Sequence, residues 1–148
     1  MTTTSTDHQL PTFAIDTFAD ERGQLSVLDL LRRPSPVPFE VQRVFWITEV
    51  KEGQMRGTHA HRTCWEALVV LHGACTLKAE NLQGKCFEQR LESSSQGVVV
   101  PPLVWAELCD FTPGCVLLCL ASEPYKPEGY LKDYEEFRSF GQTHLAQS

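Results

Sequence analysis

Arg56-Gly57-Thr58-His59-Ala60-His61-Arg62-Thr63-Cys64-Trp65-Glu66, followed by the apolar run Ala67-Leu68-Val69-Val70-Leu71 and the turn His72-Gly73, is the stretch that decides the fold. Side chains two apart on a strand point the same way, so an extended Arg56–His61 sets His59 and His61 on one face. In a small barrel one face looks inward, and two imidazoles with an arginine placed there need partners, because unpaired interior polar groups cost free energy. Two histidines on an exposed strand end are the plain alternative.

Outward from this stretch the chain is a series of short apolar runs at 41–50, 67–71, 74–79, 86–91, 97–100, 104–111 and 115–121. The turn pairs His72-Gly73, Gln83-Gly84, Gln96-Gly97 and Pro113-Gly114 punctuate them. Upstream, Asp20-Glu21-Arg22-Gly23 is a turn leading into a short strand, Gln24-Leu25-Ser26-Val27-Leu28. Arg32-Arg33-Pro34-Ser35-Pro36-Val37-Pro38 is an extended loop, since proline cannot donate to a strand ladder. Seven or eight short strands at near-regular spacing predict an all-β sandwich or barrel. One helix is expected over 128–140, where Tyr130, Leu131, Tyr134 and Phe137 recur at three- and four-residue steps. No repeat or linker interrupts the pattern, so one domain is expected over 1–148, with 1–10 a disordered tail and 141–148 a loose C-terminus.

Composition bounds the function. At 148 residues the chain is long enough to bury a core, roughly two thirds of its unfolded surface. Hydrophobic residues at 42% and charged residues at 22% exclude a mostly disordered chain. With 13 Lys+Arg against 19 Asp+Glu, the net charge of -6 argues against a nucleic-acid binder, yet leaves room for one small anion held by a few arginines. No apolar run is long enough to span a bilayer. The Thr-rich start, residues 1–9, lacks the basic and apolar regions of a signal peptide. Cys64, Cys75, Cys86, Cys109, Cys115 and Cys119 form no CxxC pair and sit mostly in apolar runs. They are expected to be reduced, buried small hydrophobes of a cytoplasmic protein.

Gly57, His59, His61, Glu66 and Gly73 together resemble the first sequence motif of the cupins. That resemblance implies a double-stranded β-helix, the double-sheet jelly roll. In metal cupins the two histidines and the glutamate hold a divalent ion with a further histidine from a second motif. The matching stretch here, Gly97-Val98-Val99-Val100-Pro101-Pro102-Leu103-Val104-Trp105-Ala106, has Ala106 where that histidine would stand. A metal-dependent cupin using His59, His61 and Glu66 is therefore one alternative. The odd step from His61 to Glu66 would put them on opposite faces of one straight strand, so clustering them requires a bend or strand change near Arg62-Thr63.

A more specific resemblance runs from about Asp20 to Phe140. It is carried by Asp20-Glu21-Arg22-Gly23, Arg43-Val44-Phe45-Trp46-Ile47, Arg56 to Arg62, Pro102-Leu103-Val104-Trp105, Asp110-Phe111, Leu120-Ala121-Ser122-Glu123-Pro124-Tyr125 and Tyr130 to Phe137. In these the chain resembles the nucleotide-sugar 3,4-ketoisomerases, metal-independent cupins acting on dTDP-4-keto-6-deoxyglucose. The resemblance implies an isomerase without a cofactor that moves a carbonyl from C4 to C3 of the hexose through an enediol. It implies His59 and His61 as the catalytic pair, with His61 favoured as the base and His59 as its partner or the acid toward the keto oxygen; the sequence does not decide which does which. Arg22, Arg43 and Arg56 become candidates for the pyrophosphate or the enolate, since an arginine fork suits phosphate oxygens. Trp46, Trp105 and Glu66 complete the expected substrate contacts, although large aromatics are as readily part of the barrel wall. Three positions depart from the relatives: Phe45 or Trp46 where tyrosine is frequent, Glu66 where many have glutamine, and Ala106 where some have histidine. A homodimer is implied, with the N-terminal strand near Leu25–Leu28 pairing across the interface. No nucleic-acid or membrane partner is expected. A non-catalytic nucleotide-sugar-binding cupin is the remaining alternative.

Overall fold

Short apolar runs cut by glycine and polar turns cannot build long elements, and the computed structural model, which describes residues 9–147, is accordingly a set of short strands. In chain order they are β1 (Thr12–Ala14), β2 (Asp16–Asp20), β3 (Gly23–Val27), β4 (Arg43–Ile47), β5 (Arg56–His61), β6 (Glu66–His72), β7 (Cys75–Glu80), β8 (Cys86–Leu91), β9 (Gln96–Val100), β10 (Trp105–Cys109), β11 (Val116–Ala121) and β12 (Tyr130–Leu131). One helix follows, α1 (Tyr134–Ala146). Two five-stranded sheets have the orders β1-β9-β6-β11-β4 and β12-β5-β10-β7-β8, and β2 and β3 form a separate hairpin. All pairings are antiparallel. From β4 onward the chain crosses from one sheet to the other at nearly every turn. This is the jelly roll of the cupins, as the sequence predicts.

The core lies between the sheets. Leu68, Val98, Leu117 and Cys119 from the first meet Leu77 and Leu108 from the second. On the outer face of the first sheet, the proline-rich segment folds down as a loop and anchors Val37 against Ala67 and Leu120. It has no strand ladder, as three prolines in five residues demand.

The structure corrects three boundaries. Tyr130 and Leu131 are not helical: they pair with β5, opposite His61 and Ala60. Helix α1 begins only after Asp133, whose carboxylate accepts from the Glu136 N–H at 2.8 Å as an N-cap. The apparent helical period arose because Leu131 and Phe137, both fully buried, pack into one cluster from two different elements. The helix also runs on through 141–146, with Gly141 buried against Leu82, where a loose end was expected. At the other terminus, residues 1–8 and 148 lie outside the described residues. Leu10, assigned to the tail, is 5% exposed, and its N–H donates to Gln89 at 2.9 Å.

Candidate active site

The site begins with a local irregularity in β5. Gly57 and Thr58 both have positive φ, 81° and 58°. The ladder slips there: Ala106 pairs with His59 and Glu107 with Gly57, so Thr58 is the extra residue of a bulge. Only glycine fits at 57, since a Cβ would lie 2.9 Å from the Ala106 carbonyl oxygen. Past the bulge His59 and His61 stand edge to face, ring centroids 4.9 Å apart. The Nδ1 of His59 is 3.0 Å from the Gly57 carbonyl. A carbonyl only accepts, so Nδ1 carries a proton, and it is Nε2 that can take up or give the second one.

The chain then leaves this sheet at His61, turns through 62–65, and starts β6 in the opposite sheet with Glu66. This is the strand change the sequence requires. It brings Glu66 Oε1 to 2.5 Å from His61 Nε2 and 3.9 Å from His59 Nε2. The His61 contact is the shorter of the two. Burial alone would push the Glu66 carboxyl up; hydrogen bonding and positive charge from His59 and His61 more than offset it and hold it at about 2.

Alternation along β4 sends Arg43, Phe45 and Ile47 inward and Val44 and Trp46 outward. The Arg43 guanidinium lies 5.1 Å above the Phe45 ring, and its Nε donates to the Glu123 carbonyl at 3.1 Å. From β12, Tyr130 places its ring 4.9 Å from His59 and 4.5 Å from His61. It shares the cavity wall with Arg43, whose guanidinium it helps to keep charged. A cavity of about 530 Å³ results, with Arg43, Arg56, His59, Glu66, Tyr130 and Lys132 on its polar side and Leu68, Val100 and Leu108 on its apolar side. Its size is that of a small-molecule site.

Of the expected site residues, the cavity gathers His59, Glu66, Arg43 and Arg56. The two imidazoles are placed differently: the His59 side chain is 24% exposed and lines the cavity, whereas His61, at 6%, is behind it against Glu66. Trp46 is excluded, because it is 65% exposed on the outer face of β4. Trp105 is excluded too: it is buried under α1, between Tyr134 and Phe137, and its Nε1 donates to Glu107 at 3.1 Å. Arg22 is at the tip of the β2–β3 hairpin, paired with Asp20, and does not line this chain's cavity. Tyr130 and Lys132 were missed as site residues. Their two-residue spacing, with the capping pattern Asp133…Glu136 marking the true helix start and so leaving both in extended chain before it, is the signal that locates them.

His59, His61 and Glu66 offer donor atoms within 4.8 Å of one another. The fourth ligand of a metal cupin is lacking, because Ala106, which pairs with His59, supplies no donor.

A jelly roll with an HxH strand facing a carboxylate across its interior defines a cupin. The family described as "FdtA: WxcM-like, C-terminal" matches residues 8–142. The TDP-4-oxo-6-deoxy-alpha-D-glucose-3,4-oxoisomerase of Aneurinibacillus thermoaerophilus is 33% identical over 122 residues, 82% of this chain and 84% of that protein. The 3,4-ketoisomerase QdtA of Thermoanaerobacterium thermosaccharolyticum, in complex with TDP, superposes with a TM-score of 0.83 at 30% identity, covering 92% of this chain and 96% of that one. A histidine-to-asparagine variant of that enzyme is known in complex with TDP-4-keto-6-deoxyglucose; it has the same score and identity, covering 91% and 95%. A 3,4-ketoisomerase from Helicobacter canadensis has a TM-score of 0.82 at 29% identity, covering 91% and 98%. The chain belongs to the FdtA family of cupins, the family of these sugar ketoisomerases.

Proposed function

We propose that this protein is a 3,4-ketoisomerase of a TDP-linked 4-keto-6-deoxyhexose. The observation that carries this is the placement of His59, its Nδ1 held by the Gly57 carbonyl, on the wall of a cavity of small-molecule size beside two arginines, in a chain related along most of its length to such enzymes. His59 removes the proton at C3, which the neighbouring ketone makes weakly acidic. Arg56 and Arg43 stabilise the charge that develops on oxygen. The same imidazole returns the proton at C4. His61 supports this wall from behind and does not act as the base. The positive groups Arg43, Arg56 and Lys132 also attract the pyrophosphate to a chain that is otherwise net negative.

A second copy of the chain belongs to the same proposal. Phe18, Leu25 and Val27 on the hairpin are 62%, 63% and 41% exposed. Val44 and Trp46, on the edge strand β4, are 50% and 65% exposed. An open edge and an apolar ribbon of this kind suit pairing in a homodimer. Trp46→Asp is expected to shift the mass in sedimentation equilibrium from dimer toward monomer. All six cysteines are free, which fits a reducing, cytoplasmic setting.

The test is a proton NMR time course of the chelator-treated protein with TDP-4-keto-6-deoxyglucose. Appearance of the 3-keto isomer is expected. Unchanged substrate overturns the assignment, and product that forms only after adding back a divalent metal would restore the metal-cupin alternative.

A further inference from the structure

Moving a carbonyl from C4 to C3 requires two proton shifts. One hydrogen goes from carbon to carbon, C3 to C4. A second goes from oxygen to oxygen, because O4 gains a proton and O3 loses one. His59 accounts for the first. The second needs a group that donates to one oxygen and accepts from its neighbour.

The cavity wall narrows the choice. Glu66 is held as the anion between two imidazoles and has no proton to give. Arg43 and Arg56 do not deprotonate. Three hydroxyls line the cavity, on Thr58, Tyr125 and Tyr130. The Thr58 hydroxyl donates to its neighbour's carbonyl, Gly57 O, at 2.6 Å. Tyr125 is 59% exposed, at the outer rim. Tyr130 is set in a strand directly opposite His61, with its ring against both imidazoles and Arg43 on the same cavity wall. The Lys132 ammonium lies 5.3 Å above the same ring. Arg43 and Lys132 thus stand in the same cavity wall as this phenol.

We infer that Tyr130, backed by Arg43, is the catalytic acid–base that carries the oxygen-bound proton while His59 carries the carbon-bound one. The inference rests on the ketoisomerase assignment. In the first half, His59 Nε2 takes the C3 proton, the C3–H electron pair forms the C3–C4 double bond, and the carbonyl π pair moves to O4. The oxygen takes the Tyr130 phenol proton. This leaves the enediol, an imidazolium and a phenolate facing Arg43. In the second half the phenolate takes the O3 proton, the O3–C3 carbonyl forms, and the double-bond pair takes the imidazolium proton at C4. Both residues end as they began, and no co-reactant is consumed. Here, where Phe45 and Ala106 offer no proton on the facing strands, the phenol from β12 is the group that closes the cycle.

The test compares wild type, Tyr130→Phe and the chain with 3-fluorotyrosine at 130, each with TDP-4-keto-6-deoxyglucose in D₂O followed by NMR, and with TDP in calorimetry. Tyr130→Phe is expected to lower kcat by about 100-fold or more, as for loss of a general acid–base. KM and TDP affinity should move less than about threefold, in keeping with a group that acts in the transition state. Deuterium exchange at C3, which draws on Tyr130 once, for O4, should fall less than carbonyl transfer, which draws on it in both halves. Wild-type kcat in Tyr130→Phe overturns the inference and leaves the ketoisomerase assignment standing. Parallel loss of TDP binding and turnover also overturns it, as a purely structural role. No turnover by wild type overturns the assignment and this step with it. Should the phenylalanine variant not fold, 3-fluorotyrosine decides: a changed kcat at constant KM supports the inference, and an unchanged kcat overturns it.

Discussion

Glu66 approaches His61 to 2.5 Å from the opposite sheet, although the two are only five residues apart in the chain. The carboxylate is therefore sealed between two imidazoles, and its acidity is tied to folding. Its pKa falls from an ordinary 4.5 to about 2 in the native state, against the upward push of burial, through His59 and His61. A carboxyl with a depressed native pKa contributes stability that is complete above its unfolded value and is lost as pH falls through the folded one. Urea titrations of wild type should thus show stability dropping between about pH 4.5 and pH 2. Glu66→Gln should lower stability at neutral pH and flatten that acid slope. An equally steep slope in the variant would refute the coupling.

The two histidines should separate by phenotype. His59→Asn is expected to lose turnover by about 10²–10⁴-fold while keeping TDP affinity, the range for a general base. His61→Asn should act through stability, because it leaves the buried Glu66 facing one imidazole at 3.9 Å. Thermal melting and kcat measured on both variants check the assignment. A fully active His59→Asn would return the base role to His61.

Gly57 is the hinge on which the first imidazole turns. An alanine there meets the Ala106 carbonyl at 2.9 Å with φ at 81°. Backbone strain of this kind costs about 1–3 kcal/mol. Gly57→Ala should lower the melting temperature. It should also lower kcat, because the Gly57 carbonyl holds His59 Nδ1 at 3.0 Å. Differential scanning calorimetry paired with turnover decides whether the bulge is needed.

The thiols should divide into one fast and several protected groups. Cys86 is exposed, whereas the other five are buried. Burial also pushes the Cys75 thiol up to about 12 and raises that of Cys119. A thiol reagent followed by mass spectrometry is expected to add one label rapidly to native protein, at Cys86, and six after denaturation. Rapid native labelling of Cys75 would contradict the buried core described above.

Much of this architecture is local information. The runs that became β6 to β11 are bounded by the turn residues that the backbone itself requires, so their positions follow from the chain. The shared face of His59 and His61, and the need for a strand change before Glu66, follow from the period of two in an extended chain. The shape of the C-terminal segment does not follow so directly. Tyr130, Leu131, Tyr134 and Phe137 have a helical period, but the first two are a strand, because β5 offers a free edge and Asp133 caps the helix later. Arg43 and Trp46 show the same limit. Alternation tells that they face opposite ways, but which way is inward depends on where the second sheet lies. The order of the two histidines, the phenol brought over them and the exclusion of Trp105 were all decided by sheet packing, since a cavity is a relation between distant strands and no single strand encodes it.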